Sequence, residues 1–354
     1  MQKSKIHKPL LENKGDFVSK GNWVNGLDSI RFILAMVVFL SHLDNAPAAF
    51  FKSFDNYFVR WIGIGINHIF LGPGAVIAFF IISGFVIHYP LKNSPLQVKS
   101  FLVRRWFRIG LPLLAVVLFS KYFKLFWLIP IWSLYCELIY YTLYPVLRKI
   151  NLTWRIQFIV SFIVSIGLVF LVADGEIKSM LARTNINYTG SYAALGNWLT
   201  WIVGLPCWLL GVWLADRIDS VTRYVSTVKV NFVRVLMLIF SILLVGLKSH
   251  WFVSYIITLN FFAFVLTYWL ENEIIYFRSH RSVRLMEWAG KFSYSLYLIH
   301  GLAVYFILHY IKVNIFTYSF FILVTLLLAF IVYLIVEEPS HRFSKYLARR
   351  VSGL

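Results

Sequence analysis

Two ionisable side chains stand near opposite ends of one apolar segment, "GLDSIRFILAMVVFLSHL", residues 26 to 43. Arg31 and His42 are eleven residues apart, so in a helix they share one face and lie about 16 Å apart along the axis. A histidine has an ordinary pKa close to neutral and can accept the proton of a hydroxyl group. Ionisable groups inside a membrane span are costly and are functional candidates by default. The alternative is that Arg31 extends to the membrane interface and His42 lies in the headgroup layer.

A second candidate is the segment "RRWFR", residues 104–108, which precedes an apolar stretch. Arg105 and Arg108 are about one helical turn apart and therefore share a face. Paired guanidinium groups bind phosphates in a bidentate manner, which lysine cannot do. The alternative is that these arginines only anchor the chain at the membrane surface.

A carboxylate interrupts the apolar segment "WSLYCELIYYTLYP", residues 132–145. Glu137 lies mid-span and must be paired, hydrogen-bonded or protonated, because desolvation disfavours its charged form. Tyr141 follows one turn later on the same face. A purely structural carboxylate is the alternative.

Near the C-terminus, "KFSYSLYLIH", residues 291–300, carries a polar stripe. Ser293, Tyr297 and His300 follow helical spacing, so they share one face of an otherwise apolar helix. A hydrogen-bonded seam inside the bundle would explain them without chemistry. Beyond them, "EEPSHR", residues 337–342, carries a proline that we expect to end the last span. Its carboxylates could balance nearby arginines.

The elements that position these residues follow from composition. The chain is 60% hydrophobic and only 14% charged, which is too apolar for a soluble protein of 354 residues. Stretches of 17–25 apolar residues are long enough to cross a membrane. We therefore predict an all-α polytopic bundle of about ten transmembrane helices. The predicted spans lie near 27–43, 68–89, 106–120, 125–147, 155–173, 197–215, 232–248, 250–270, 291–311 and 316–336.

These spans leave no room for a second folded domain. We expect a cytoplasmic N-terminal tail over 1–25, a transmembrane domain over 26–342 and a cytoplasmic C-terminal tail over 343–354. The polar N-terminus has no signal-peptide pattern. Cys136 and Cys207 both fall inside spans, so we expect each to pack in the core and no disulfide to form.

The charge distribution predicts the orientation. The net charge is +19, but 25 of the 34 lysines and arginines fall in segments on the side of the N-terminus and eight on the other. This bias is the positive-inside rule, so we expect both termini in the cytoplasm. Because the charge is not concentrated on one element, nucleic-acid binding is not expected.

Taken together, these motifs resemble those of the acyltransferase-3 family of membrane acyltransferases. The first helix has the family's Gly-Leu-Asp, Arg and His pattern. "FFIISGFVI" (79–87), "RRWFRIGLP" (104–112), "WSLYCELIYYTLYP" (132–145) and "SYSLYLIH" (293–300) resemble its next motifs, in the same order. "EEP" (337–339) resembles its closing motif. The resemblance extends over residues 26–342.

The resemblance implies an activity and its substrates. Such proteins carry an acyl group, most often acetyl, from cytoplasmic acyl-CoA across a bacterial inner membrane. The acceptor is typically a hydroxyl of a surface-polysaccharide sugar, free or lipid-linked. We therefore expect an O-acetyltransferase that uses acetyl-CoA as donor, contacts membrane lipids and needs no metal. The stand-alone form, without a C-terminal hydrolase-like domain, is expected.

The resemblance also implies roles for the donor-side residues. Arg105 and Arg108 would hold the phosphates of acyl-CoA, whose pantetheine arm would reach into the bundle. Arg31 would mark the entrance or pair with Glu137 or Glu338; the sequence leaves this choice open.

At the reacting end, His42 would act as general base, with Arg31 and Glu137 also in the catalytic set. Direct attack on the thioester and an acyl-histidine intermediate are both open. A leucine follows Glu137 where many members have a second acidic residue, which weakens any two-carboxylate scheme. The implied substrate channel comprises Ser133, Tyr141, Ser293, Tyr297 and His300.

Two other classes compete with this interpretation. A proton-coupled secondary transporter of a small molecule would use ionisable groups inside the membrane as a relay. Many such transporters contain internal repeats, and no matching halves are found here. A membrane-bound sensor or structural subunit would leave Arg31, His42 and Glu137 without a purpose.

Overall fold

Helices account for almost all of the regular structure. The computed structural model describes residues 24–43, 45–125, 128–185 and 188–352, so most of the predicted N-terminal tail lies outside it. The chain is 81% helical and has no strand among the described residues, which confirms the all-α prediction.

Fifteen α-helices can be traced in the described ranges. They are α1 (Leu27–His42), α2 (Ala46–Lys52), α3 (Tyr57–Asn67), α4 (Gly72–His88), α5 (Val98–Tyr122), α6 (Ile131–Lys149), α7 (Trp154–Val172), α8 (Asp174–Ala182), α9 (Gly196–Arg217), α10 (Thr227–Trp251), α11 (Tyr255–Phe277), α12 (Arg284–Ala289), α13 (Ser293–Tyr310), α14 (Tyr318–Val332) and α15 (Glu338–Ser352).

Fewer helices than predicted are long and apolar enough to be membrane spans. Six helical segments are long and apolar enough to cross a membrane, and α1 with α2, bent by 56°, would make seven. The predicted spans near 106–120, 125–147 and 250–270 fall on α5, α6 and α11. Polar side chains lower the hydropathy of these three helices, so the count of about ten is not confirmed.

Helix α4 lies at the centre of the bundle and packs against α1, α9 and α11. Its contact with α9 is unusually close because glycines face each other's backbone. A Cβ on Gly84 would lie 2.1 Å from the carbonyl oxygen of Trp208, and one on Gly211 would lie 1.8 Å from that of Ile81. Small residues allow helices to approach at backbone distance inside membranes.

The outer helices expose apolar surface. The most apolar window of α10 is only 17% buried, against 72% for the segment Tyr57–His88 that contains α4. A helix that is apolar on all faces and this exposed must be surrounded by lipid. The protein is thus a multi-pass membrane protein.

The last helix continues past the proline that was expected to end it. Tyr333–Glu337 form a π-helical turn between α14 and α15, and the helix then continues to Ser352. Pro339 lies in the first turn of α15, where a missing N–H is tolerated, so the expected helix stop at this proline is wrong. Helix α15 packs along α5.

Candidate active site

One cavity of about 890 Å³ lies inside the bundle between α1, α4, α5, α6 and α13. Along α4 its lining extends from Val76 to Tyr89, thirteen residues or about 20 Å of helix. Arg104, Arg105 and Arg108 of α5 lie at one end. We call this the arginine end of the bundle and the opposite end, where α1 finishes at His42, the histidine end.

Three arginines of α5 line the cavity. The guanidinium of Arg105 lies 5.9 Å from the ring centres of both Phe101 and Tyr141, which orient it. In the part of the chain that the structure describes, none of the three has a carboxylate oxygen within 4 Å. A cavity mouth lined in this way favours an anionic ligand.

Arg31 also lines the cavity, and its ion pair is with Asp28, at 3.6 Å between Nη1 and Oδ1. The expected alternatives, a pair with Glu137 or with Glu338, are not formed. Glu338 instead pairs with Arg342 at 2.6 Å. Arg31 therefore stands at the cavity entrance held by a residue of its own helix.

Glu137 is the centre of a hydrogen-bonded group on the cavity wall. Its Oε1 accepts from the hydroxyl of Tyr141 and from Ser83 Oγ at 3.0 Å. Ser83 Oγ in turn accepts from Trp208 Nε1 at 3.3 Å. A mid-span carboxylate can be ion-paired, hydrogen-bonded or protonated, and here hydrogen bonds are observed. These bonds hold the carboxylate oxygens towards the cavity.

Ser83 and Trp208 were missed by sequence reasoning. Ser83 lies inside the quoted motif "FFIISGFVI", and it is the only hydroxyl in that run. A single hydroxyl in an apolar run could have marked Ser83 as a candidate, although a lone helical serine more often bonds to its own backbone.

A tyrosine–serine pair closes the inner end of the cavity. Ser133 Oγ donates to the carbonyl of Pro130 at 3.0 Å, so it accepts from the hydroxyl of Tyr297 at 2.5 Å. The ring of Phe79 packs edge-on against Tyr297, with ring centres 5.7 Å apart. All three line the cavity, so its inner end is narrow but polar.

Two histidines lie beyond this closed end. The ring centres of His42 and His300 are 4.8 Å apart, and neither residue lines the cavity. The Nδ1 atoms lie 2.9 Å from the carbonyl of Val38 and 2.5 Å from that of Tyr297, respectively. Since a carbonyl only accepts, each Nδ1 donates to it, and in the neutral ring Nε2 is the nitrogen that keeps a lone pair.

The two histidines differ in burial. His300 is 3% exposed, whereas His42 ends α1 at an exposed position. A Cβ on Gly72 would meet Ser41 Oγ at 2.2 Å, so the start of α4 lies level with His42. Val76, where the cavity lining begins, is one turn further along, about 6 Å. His42 is thus reachable from the histidine end and is close to the cavity without being part of it.

The predicted site residues therefore fall into two groups. His42 and His300 form a pair outside the cavity. The others line it: Arg31, Arg105, Arg108, Ser133, Glu137, Tyr141, Ser293 and Tyr297.

No metal centre accompanies these groups in the described ranges, where no three His, Cys, Asp or Glu residues cluster closely enough to hold an ion. Cys136 and Cys207 are buried free thiols.

The fold and the cavity define a multi-pass membrane protein with an arginine-lined cavity at one end and an exposed histidine at the other. A family model described as an acyltransferase domain matches residues 24–336. The chain therefore belongs to the acyltransferase-3 family and is a membrane acyltransferase. This membership decides against the transporter and the structural-subunit interpretations. Comparisons with curated proteins and with solved structures gave no match.

Proposed function

We propose that the protein transfers an acyl group, acetyl in the simplest case, from acyl-CoA to a hydroxyl group on the other side of the membrane. The acceptor would be a sugar of a bacterial surface polysaccharide, free or lipid-linked. The observation that carries the proposal is the division of the site: an arginine-lined cavity about 20 Å long opens at one end, and a histidine is exposed at the other.

The arginine end would face the cytoplasm, in agreement with the excess of basic residues predicted there. Acyl-CoA is a polyanion that cannot cross lipid, but its pantetheine arm is a narrow chain with two amide groups. Phosphates held at Arg105 and Arg108 would leave the arm to fill the cavity. The thioester would then lie near Tyr297, whose hydroxyl could donate to its carbonyl oxygen once the contact with Ser133 opens.

At the histidine end, His42 would act as general base. Its Nε2 lone pair takes the proton of the acceptor hydroxyl while the hydroxyl oxygen attacks the thioester carbonyl. The tetrahedral intermediate then expels the thiolate, which receives the same proton from His42 and leaves as free CoA. The Ser133–Tyr297 contact must open during this step, because it separates the cavity from His42.

Glu137 would act from the cavity wall. Its hydrogen bonds to Ser83 and Tyr141 hold both hydroxyl groups in place beside Arg105. This arrangement supports a role for the carboxylate in positioning either the donor arm or Arg105. Such a role needs no second acidic residue.

The test uses inverted membrane vesicles that contain the full-length protein and acetyl-CoA labelled in the acetyl group. Label should appear in an acceptor inside the vesicles, and His42→Ala should reduce the rate by a factor of about 10²–10⁴, as expected for a lost general base. His309→Ala, a substitution of an exposed histidine on α13, is the matched control. Absence of transfer by the parent protein would refute the proposed donor, and near-normal transfer by His42→Ala would remove His42 from the mechanism.

A further inference from the structure

The C-terminal helix extends beyond what a membrane span requires. Tyr318–Ser352 form one continuous helical segment of 35 residues, about 52 Å long, whereas the hydrocarbon layer is about 30 Å thick. The excess of about 20 Å corresponds to the length of α15. Helix α15 therefore projects from the arginine end of the bundle, alongside the first turns of α5.

Two contacts give the register between α15 and α5. Ser100 Oγ donates to the carbonyl of Ala348 at 3.1 Å, and the rings of Phe107 and Phe343 meet with centres 6.1 Å apart. The helices are antiparallel, since residue numbers rise on one as they fall on the other.

This register places Arg104 level with Lys345, and Arg108 level with His341. Arg104 lies on the same stripe of α5 as Ser100 and Phe107, at i, i+4 and i+7, and it also lines the cavity. On α15, His341 and Lys345 are one turn apart and share a face. We call Arg104, Arg108, His341 and Lys345 the mouth cluster.

The charges around His341 show which side of α15 faces the arginines of α5. The charge with the strongest electrostatic effect on the His341 ring is that of Arg108, followed by those of Lys345, Arg104 and Arg105. His341 thus lies among the arginines of α5 and does not point away from them.

Two carboxylates near the start of α15 have hydrogen-bond or ion-pair partners outside the mouth cluster. Glu337 accepts from the backbone N–H of Ser295 at 3.1 Å and from its hydroxyl at 2.5 Å, and Glu338 pairs with Arg342. Within the described ranges, no residue of the mouth cluster has a carboxylate oxygen within 4 Å. Three cations held together without a counter-ion repel one another, and an anion bound between them relieves that repulsion.

We propose that the mouth cluster binds the phosphates at the nucleotide end of the acyl donor, so that α15 forms one wall of the donor site. This inference rests on the proposed acyl-CoA donor and adds a second helix to its binding site. The arm occupies the cavity, and the nucleotide with its phosphates is left at the mouth, between α5 and α15. Arg104 and Arg108 supply bidentate donors, whereas Lys345 and His341 supply single N–H groups.

Simple membrane anchoring makes a different prediction. An anchoring cation serves equally on any face of α15, as Arg350 does beside the ring of Tyr346, 4.7 Å from its centre. Only phosphate binding requires the cations on the face towards the cavity. Lys345 and Arg350 therefore form a matched pair on one helix, both exposed and both neutralised by glutamine.

The experiment measures binding to the full-length protein in phosphatidylcholine nanodiscs. The probes are coenzyme A and adenosine 3′,5′-bisphosphate, its nucleotide end alone. Lys345→Gln should weaken both by the same factor, about tenfold for one charge-assisted contact, and Arg350→Gln should weaken neither. Arg104→Gln should act like Lys345→Gln.

Three outcomes would overturn the proposal. They are unchanged affinities in Lys345→Gln, failure of the parent protein to bind the bisphosphate, and weakening of coenzyme A alone. A further measurement uses nanodiscs that contain anionic phosphatidylglycerol. If this lipid displaces the bisphosphate from the parent protein but not from Lys345→Gln, the cluster binds a lipid headgroup instead. Acetyl transfer by the parent protein is measured separately, so any of these results can occur while the proposed function stands.

Discussion

Tyr141 connects the two polar features of the cavity wall. Its hydroxyl donates to Glu137, and its ring lies against the guanidinium of Arg105. The side chain is 4% exposed, so both contacts are made away from bulk water. The hydroxyl and the ring can be separated by substitution, because phenylalanine keeps the ring.

Tyr141→Phe should destabilise the protein by about 1.5–3 kcal/mol, since a half-buried carboxylate loses a charge-assisted hydrogen bond. Thermal denaturation in detergent measures this effect. Acyl transfer should fall as well, because Glu137 retains only Ser83. Tyr310→Phe, at an exposed tyrosine of α13, is the control. Equal melting temperatures for the two variants would mean that the Tyr141–Glu137 bond contributes no stability.

The polar residues of the cavity could be predicted because each interrupts an apolar helix. Arg31, Glu137 and Tyr297 are of this kind, and all three line the cavity. The separation of His42 from the cavity could not be predicted. It depends on Tyr297 from α13 meeting Ser133 from α6, a contact between segments 164 residues apart.

At the scale of elements, the contact between α4 and α9 determines where Ser83 and Trp208 meet. Gly84 and Gly211 allow the two helices to touch along their backbones. Ser83 is adjacent to the first of these glycines, and Trp208 lies one turn before the second. The hydrogen bond between them therefore depends on the close approach.

Gly211→Ala should be strongly unfavourable. The added methyl would lie 1.8 Å from the carbonyl oxygen of Ile81 and 2.9 Å from the backbone nitrogen of Phe85, and neither can rotate away. The expected cost is about 1–3 kcal/mol, the range for overpacking. At Gly246, on α10, a Cβ meets nothing within 4 Å, so Gly246→Ala should leave the melting temperature unchanged or raise it. A melting temperature for Gly211→Ala equal to that of Gly246→Ala would contradict the close packing.

The apolar stretches of the sequence predicted where most helices lie, but they did not predict two features of the helical structure. Helices α2 and α3, between Ala46 and Asn67, are short, and no span-length pattern marks them. The continuation through Pro339 depends on the π-helical turn at Tyr333–Glu337, which local propensity does not indicate. As a result, the last helix was expected to end at Pro339, and residues 343–354 were predicted as a tail.

The whole molecule separates its two groups of functional residues across the membrane, and the mechanism requires a defined orientation. In the proposed mechanism, the arginine end faces acyl-CoA and the histidine end faces the acceptor. The positive-inside bias predicts this orientation from 25 basic residues against eight.

Single cysteines test the orientation in a background without Cys136 and Cys207. Asp55→Cys lies in the loop after α2 and should react with an impermeant thiol reagent in intact cells. Asn93→Cys and Thr222→Cys lie in loops at the arginine end and should react only after the membrane is opened. All three positions are exposed, so reactivity depends on the side of the membrane alone. Reaction of Asn93→Cys in intact cells would place the arginines outside and would exclude the proposed donor.

In the bacterial inner membrane proposed for this protein, the closed inner end of the cavity has a consequence for the proton gradient. A bacterial inner membrane stores energy as a proton gradient, and a continuous column of water through any abundant protein would discharge it. The contact between Ser133 and Tyr297, backed by Phe79, interrupts such a column between the cavity and His42. If the acyl arm itself fills the gap when this contact opens, the protein exchanges a chemical group between two compartments while the electrical insulation of the membrane is maintained.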